Sequence, residues 1–215
     1  LQRLHRIESL TMAVVSGRAM DDARERVALP DIAYAGNHGM EIEGPGLHRI
    51  HEDAARARPA LASVADRLRD RIGGIDGVLV EDKELTLSIH YRRVAREQVH
   101  EVRDAVFTAV GDREDLRITE GKELLEVRPS VDWHKGRAVE FLLREMSPPA
   151  GVPAIYIGDD RTDEDAFRVL RDISSVAGEG VIVANPLPPS TAARSMLRDP
   201  DEVASLLEGI IAIAP

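Results

Sequence analysis

The sequence predicts an α/β fold, a parallel-sheet core interrupted by an inserted α+β module. Short apolar runs alternate with amphipathic stretches over residues 1–43 and again over 130–215, the texture of consecutive strand–helix units. Between them, over 44–129, a helical pattern followed by two strand patterns occurs twice, as in a small antiparallel layer backed by helices. Two polar, glycine-containing segments, Ser16-Gly17-Arg18 and Gly158-Asp159-Asp160, each directly follow an apolar run. In open parallel sheets ligands bind in such loops, beyond the carboxyl ends of the strands.

Taken in order, Leu1, Leu4, Ile7 and Leu10 carry the apolar spacing of a helix tail, and Met12-Ala13-Val14-Val15 reads as a short buried strand. A helix is predicted from about Met20 to Ala28 and a strand over Ile32–Ala35. The texture changes at Gly44-Pro45-Gly46, and His48-Arg49-Ile50-His51-Glu52 is expected to be a solvated loop, since its histidines lack the order of a zinc helix. The inserted module is expected to contain a helix over about 54–72, strands at Val78–Val80 and Leu85–Tyr91, a helix over about 94–110, and strands at Leu116–Thr119 and Leu124–Val127. Beyond Pro129 come a helix over Lys135–Met146, the breaker Pro148-Pro149, a strand over Ala154–Ile157, a helix over Asp163–Arg171 and a strand over Val181–Val183. Two short helices are expected to close the chain, the first including Ser195–Arg198 and the second capped by Asp201.

Composition restricts the function. The chain has 215 residues, enough for one large domain or two small ones. Its formal charge of −10 repels nucleic acid and anionic membranes, so any anion needs a local site. Three Phe, three Tyr and one Trp leave little for base stacking. Cysteine is absent, which excludes disulfides and thiolate chemistry and suits a reducing compartment. No apolar stretch has the length of a membrane span, and the chain reads as soluble and cytoplasmic. It begins at Leu rather than Met, so its start is expected to be missing.

The chemistry concentrates in three places. Ser16-Gly17-Arg18 offers a hydroxyl and helix N-terminal amides, suited to a phosphate oxygen, although alone such a sequence is usually just a helix cap. Gly158-Asp159-Asp160 offers hard oxygen ligands suited to Mg²⁺. Lys135, at a helix start, could neutralise a phosphate or be merely a solvated charge. Of the acidic run, Asp163, Glu164 and Asp165 are explained as helix N-terminal residues, with Thr162 and Asp165 as a capping-box variant. Asp159 and Asp160 precede that cap and repel each other unless a cation or donors intervene.

Ser16-Gly17-Arg18, Lys135 and the string GDDRTDEDAF at 158–167 resemble, in order, three motifs of haloacid dehalogenase-superfamily phosphatases. Gly36-Asn37-His38-Gly39, His90-Tyr91-Arg92, Gly121-Lys122 and Glu126-Val127-Arg128-Pro129 narrow the resemblance to the trehalose-6-phosphate phosphatases, over nearly the whole chain. The resemblance implies a Rossmann-like core formed by 1–43 and 130–215, an inserted α+β lid at 44–129, Mg²⁺-dependent hydrolysis of trehalose 6-phosphate, and association with a trehalose-6-phosphate synthase. It implies that Ser16 and Lys135 hold the phosphate, with Gly17 and Arg18 beside them, and that Asp159 binds the metal. Asp160 would bind it through water or orient Lys135, while Asp163 would buttress the loop. Lys122, Glu126 and Arg128 would reach the substrate from the lid, where their alternative is a charged strand face. Asn37, His38 and Gly39 would lie near the hinge and contact the substrate there, where a structural turn is the alternative.

One part of the family pattern is missing. The nucleophile and the general acid/base belong to an Asp-x-Asp-Gly-Thr motif ahead of Ser-Gly-Arg, and residues 1–15 contain no aspartate. Asp199-Pro200-Asp201 follows a predicted helix and leads into another, so it is not that motif. The chain as written is therefore expected to be inactive, to bind Mg²⁺ weakly and to have a gap in its sheet. Another sugar phosphatase of the superfamily, and a non-catalytic sugar-phosphate-binding module, are the alternatives.

Overall fold

The structure, a computed structural model, describes residues 1–149 and 151–214. The chain divides into two compact units, residues 1–48 with 133–215, and residues 49–132.

The first unit begins with α1 (Gln2–His5), β1 (Ala13–Val15), α2 (Met20–Val27), β2 (Ala33–Gly36), β3 (Glu41–Gly44) and β4 (Leu47–Ile50), whose end crosses into the second unit. β1 and β2 run parallel, with Val14 opposite Tyr34 and Val15 opposite Ala35, and β3 joins β2 antiparallel. Strand alternation explains the two faces. Met12, Val14 and Tyr34 pack on Met20 and Ala23 of α2, whereas Val15, Ala33 and Ala35 face the opposite way. β2 is consequently buried along its whole length. The helical spacing over residues 1–10 yields only the single turn of α1, which buries Leu4. Gly44-Pro45-Gly46 is the turn between β3 and β4, so His48, Arg49 and Ile50 lie in a strand and not in the solvated loop expected of them.

The second unit contains α3 (Glu52–Arg56), α4 (Arg58–Ile72), β5 (Leu79–Asp82), β6 (Leu87–His90), α5 (Val99–Val110), β7 (Leu116–Gly121) and β8 (Leu124–Pro129). Its sheet is antiparallel in the order β5-β6-β8-β7. Leu87, Ile89, Leu125 and Val127 form one core with Leu61, Val64, Leu68 and Ile72 of α4 and Val102 and Val106 of α5. That core is fully apolar, so alternate residues on β6 and β8 must point to the other face.

The first unit resumes with α6 (Lys135–Met146), β9 (Pro153–Gly158), α7 (Glu164–Asp172), β10 (Ala177–Val183), β11 (Ser195–Leu197) and α8 (Pro200–Ile213). β9, β10 and β11 form a parallel sheet in the order β11-β10-β9. Ser195–Leu197 is thus a strand, where a helix was expected: pairing with Val181–Val183 and the Arg194 N–H to Gly180 carbonyl bond outweigh its local pattern. One C-terminal helix follows, and Asp199, not Asp201, caps it by accepting from the Glu202 N–H at 3.0 Å. Among the described residues, β1 pairs only with β2 and β9 only with β10, so the parallel strands of this unit stand in two separate sheets. α6 packs against strands of both: Val139 shares a cluster with Val15 from β1, with Ala154 and Tyr156 from β9, and with Ala166 and Leu170 from α7. No helix among the described residues is long and apolar enough to cross a membrane.

Leu125→Ala, at the centre of the second unit's core, is expected to lower the unfolding free energy by about 2–5 kcal/mol, through lost burial and the cavity left behind. Urea denaturation followed by circular dichroism measures this.

Candidate phosphate and metal site

The acidic run after β9 is organised by one side chain. Asp163 is 3% exposed and accepts four hydrogen bonds. Its Oδ1 takes one from the Lys135 ammonium at 2.8 Å and one from the Tyr156 hydroxyl at 2.6 Å, while its Oδ2 takes the backbone N–H groups of Asp159 at 3.1 Å and Asp160 at 2.9 Å. β9 must end in glycine here, because a Cβ on Gly158 would lie 2.4 Å from the Asp163 carboxyl carbon. Lys135 enters from the start of α6 and is itself only 7% exposed. Tyr156 projects from β9 with its ring edge-to-face on Phe167 at 5.8 Å. Burial, reinforced by the neighbouring Asp163 carboxylate, pushes the Tyr156 phenol far above its ordinary range, so it stays a donor.

This arrangement changes the capping expected for the helix. The box is formed by Asp160 and Asp163 over the 3-10 turn Arg161–Asp163, not by Thr162 and Asp165. Asp160 Oδ1 accepts from the Arg161 N–H at 2.6 Å. The doublet is therefore relieved in part by donors: both backbone amides are tied to Asp163, and one carboxylate caps the turn. Lys135 is held by Asp163 rather than by Asp160. Both Asp159 and Asp160 keep exposed side chains at the end of β9.

A second group forms where β1 and β2 end. The Arg18 N–H donates to Ser16 Oγ at 3.1 Å, which leaves the hydroxyl proton available for an acceptor beyond the loop. The Arg18 guanidinium is paired with Asp22 of α2 at 2.7 Å, and this contact holds the Asp22 carboxyl below the usual range. The N–H groups of Asn37 and His38 donate to the carbonyls of Arg18 and Ser16 at 2.7 and 2.8 Å. Gly39 accepts from the indole N–H of Trp133 at 2.7 Å. Trp133 lies two residues before Lys135, so one segment is tied to the β2 loop at one position and to the β9 loop at the next but one.

In the second unit, Glu126 and Arg128 project from β8 on the face away from the α4 and α5 core, with Ser88 of β6 opposite Glu126 and Thr86 just ahead of that strand, and all four are buried. Lys83 and Arg128 flank Glu126 at 3.5 and 3.7 Å. Lys122 is exposed at the β7–β8 turn, at the opposite end of β8 from Arg128.

The trehalose-phosphatase family model matches residues 1–200. The chain belongs to the trehalose-phosphatase family. It is 46% identical to the trehalose-phosphate phosphatase of Mycobacterium marinum over 159 residues, covering 73% of this chain and 40% of that protein. With trehalose 6-phosphate phosphatase RA3 of Zea mays it shares 39% over 215 residues, covering 93% and 59%. The chain thus spans about half the length of the curated relatives it matches. The solved C-terminal domain of the Candida albicans trehalose-6-phosphate phosphatase superposes with a TM-score of 0.74 at 21% identity, covering 98% of this chain and 82% of that one, a likeness of fold. The architecture is a mixed α/β fold, shared with that domain and with a trehalose-6-phosphate phosphatase related protein at a TM-score of 0.77 and 21% identity, covering 94% of this chain and 80% of that one.

In this family member the site residues form three local groups: Ser16 to Arg18 with Asn37 to Gly39; Lys135 with Asp159, Asp160 and Asp163; and Glu126 with Arg128, from which Lys122 stands apart. Tyr156 and Lys83 were not anticipated. Tyr156 hid inside an apolar run, although a buried phenol needs a partner and the nearest polar segment was the aspartate loop. Lys83 lies in a turn, but the alternation of Thr86 and Ser88 within KELTLSIH marked a polar sheet face. The donor chemistry of Asp159 and Asp160 suits Mg²⁺, but among the described residues no group of three or more His, Cys, Asp or Glu is placed to hold a metal ion. Two carboxylates do not complete an octahedral oxygen shell, so water or residues outside this chain would have to complete it.

Asp163→Asn removes the charge opposite a buried ammonium and aims an amide at existing donors. It is expected to cost about 3–5 kcal/mol of stability and to speed amide exchange at Asp159 and Asp160. Tyr156→Phe, which removes one bond to a carboxylate, is expected to cost about 1.5–3 kcal/mol. Thermal melts combined with hydrogen-exchange mass spectrometry separate the two.

Proposed function

We propose that these residues serve the Mg²⁺-dependent hydrolysis of trehalose 6-phosphate to trehalose and phosphate. The observation that supports this most is the Lys135–Asp163–Asp159/Asp160 arrangement: a buried carboxylate holds an ammonium and an acidic loop against one another at the carboxyl end of a parallel strand. Catalysis of phosphoryl transfer is mostly positioning and charge stabilisation. Lys135 neutralises the phosphate, and the Ser16 hydroxyl donates to one of its oxygens. Asp163 orients Lys135 and the loop without touching substrate. Asp159, with Asp160 directly or through water, holds Mg²⁺, which when bound offsets charge on the phosphate oxygens. The second unit acts as a lid, in which Lys83, Glu126 and Arg128 offer a charged, buried face to sugar hydroxyls, with Lys122 at its turn.

The phosphoryl group passes first to an aspartate carboxylate, as the sugar–oxygen to phosphorus bond breaks, and water then releases it as phosphate. That aspartate is not among the residues ahead of Ser16. Among the described residues β1 pairs only with β2 and β9 only with β10, an arrangement that suits a further strand bearing it. Residues 1–215 alone are accordingly inactive.

Phosphate release from trehalose 6-phosphate with MgCl₂ is the deciding measurement, on residues 1–215 and on the longest polypeptide the gene encodes. Release only by the longer form is the expected outcome, and Lys135→Ala in it is expected to reduce kcat/KM by about 100-fold or more, the scale of losing one electrostatic stabiliser. Comparable release by residues 1–215 would sink the assignment of an external nucleophile. A folded long form that prefers another sugar phosphate would redirect the substrate.

A further inference from the structure

We propose that His38 is a positioning residue for the Ser16-Gly17-Arg18 loop: its imidazole is the support on which Gly17 rests, and the turn carrying it sets the direction of the Ser16 hydroxyl. The proposal rests on the phosphate-binding role of Ser16 given above.

Asn37, His38 and Gly39 are three consecutive left-handed residues, with φ of 49°, 59° and 88°. Two of them are not glycine, and such conformations persist only where the surroundings over-determine them. Here the surroundings are specific. The Asn37 and His38 N–H groups are bound by the carbonyls of Arg18 and Ser16, and the Trp133 indole holds Gly39. Asn37 and His38 are both buried.

This turn lays the His38 ring on Gly17. A Cβ at position 17 would lie 2.7 Å from Cε1 and 2.8 Å from Nε2 of the imidazole, closer than side chains approach one another. Gly17 does not itself have a left-handed φ. Glycine is required there by the neighbouring ring and not by its own backbone angles. The Ser16 hydroxyl is oriented by the Arg18 N–H, and the two carbonyls flanking Gly17 are the ones that accept from the turn. Backbone and hydroxyl therefore move together with the Asn37-His38-Gly39 turn. His38 has no need to reach the substrate, in contrast to the substrate contact its motif first implied.

The test uses the longest polypeptide the gene encodes, with His38→Asn, Gly17→Ala and the double variant. Asparagine tolerates the left-handed region, so His38→Asn keeps the turn and removes the ring. Inorganic phosphate binding with MgCl₂ is measured by calorimetry, alongside kcat and KM for trehalose 6-phosphate, thermal midpoints, and hydrogen exchange at residues 16–18. Each single variant is expected to bind phosphate about tenfold more weakly, the equivalent of one charge-assisted hydrogen bond. Exchange at Gly17 and Arg18 is expected to rise, while most of the structure melts as in the parent. The double variant is expected to bind more tightly than Gly17→Ala alone, because the methyl occupies volume the ring has vacated. A general loss of packing would not produce that recovery. A folded His38→Asn protein with phosphate affinity within about twofold of the parent, or a double variant no tighter than Gly17→Ala, would overturn the proposal. A parent that binds no phosphate would instead defeat the role of Ser16, and unchanged exchange at 16–18 in His38→Asn would then reject the positioning role on its own.

Discussion

Four donors converge on the buried carboxylate of Asp163, and much of the first unit's functional end depends on that convergence. An ionised carboxylate out of water is tolerable only when its lone pairs are satisfied and a counter-charge is near. Lys135, Tyr156 and two backbone amides meet both conditions. The donors come from three elements: the start of α6, the body of β9 and the loop after it. One residue thereby fixes where an ammonium, a phenol and two exposed carboxylates stand relative to one another. Pairing in a low-dielectric setting is directional and costly to break, which suits a site that must hold its geometry when charge arrives.

α6 extends this order to the other sheet. Its lead-in residue Trp133 is bonded to Gly39, its first residue Lys135 to Asp163, and its buried face carries Val139 into a cluster with residues from both β1 and β9. No strand of one sheet pairs with a strand of the other among the described residues, so this helix and its apolar contacts do the joining. Side-chain packing can hold two sheets in place where no ladder joins them, because interiors pack at crystal-like density.

The second unit solves a different problem. Its sheet is apolar toward α4 and α5 and polar on the other face, where Lys83 and Arg128 flank Glu126 beside Thr86 and Ser88. Breaking a buried pair of charges by removing one partner is costly, so the three side chains depend on one another.

Much of this was legible in the amino-acid order. The short apolar run Met12–Val15, period-two alternation in KELTLSIH, helical patterns over about 54–72 and Lys135–Met146, and the acidic string after an apolar run are local signals, and they determined the α/β class, most element positions and the family. Ser195–Leu197 misled because three residues carry too little pattern to outweigh a neighbouring strand that offers ladder bonds. The β3–β4 hairpin was hidden by a glycine–proline turn that looked like a boundary. What only the tertiary structure decided was partnership: that Asp163 rather than Thr162 organises the aspartate loop, that Tyr156 and Lys135 share one carboxylate oxygen, and that His38 lies on Gly17. These contacts join residues from separate elements, and no local period or propensity encodes which donor will reach which acceptor once the strands and helices have packed.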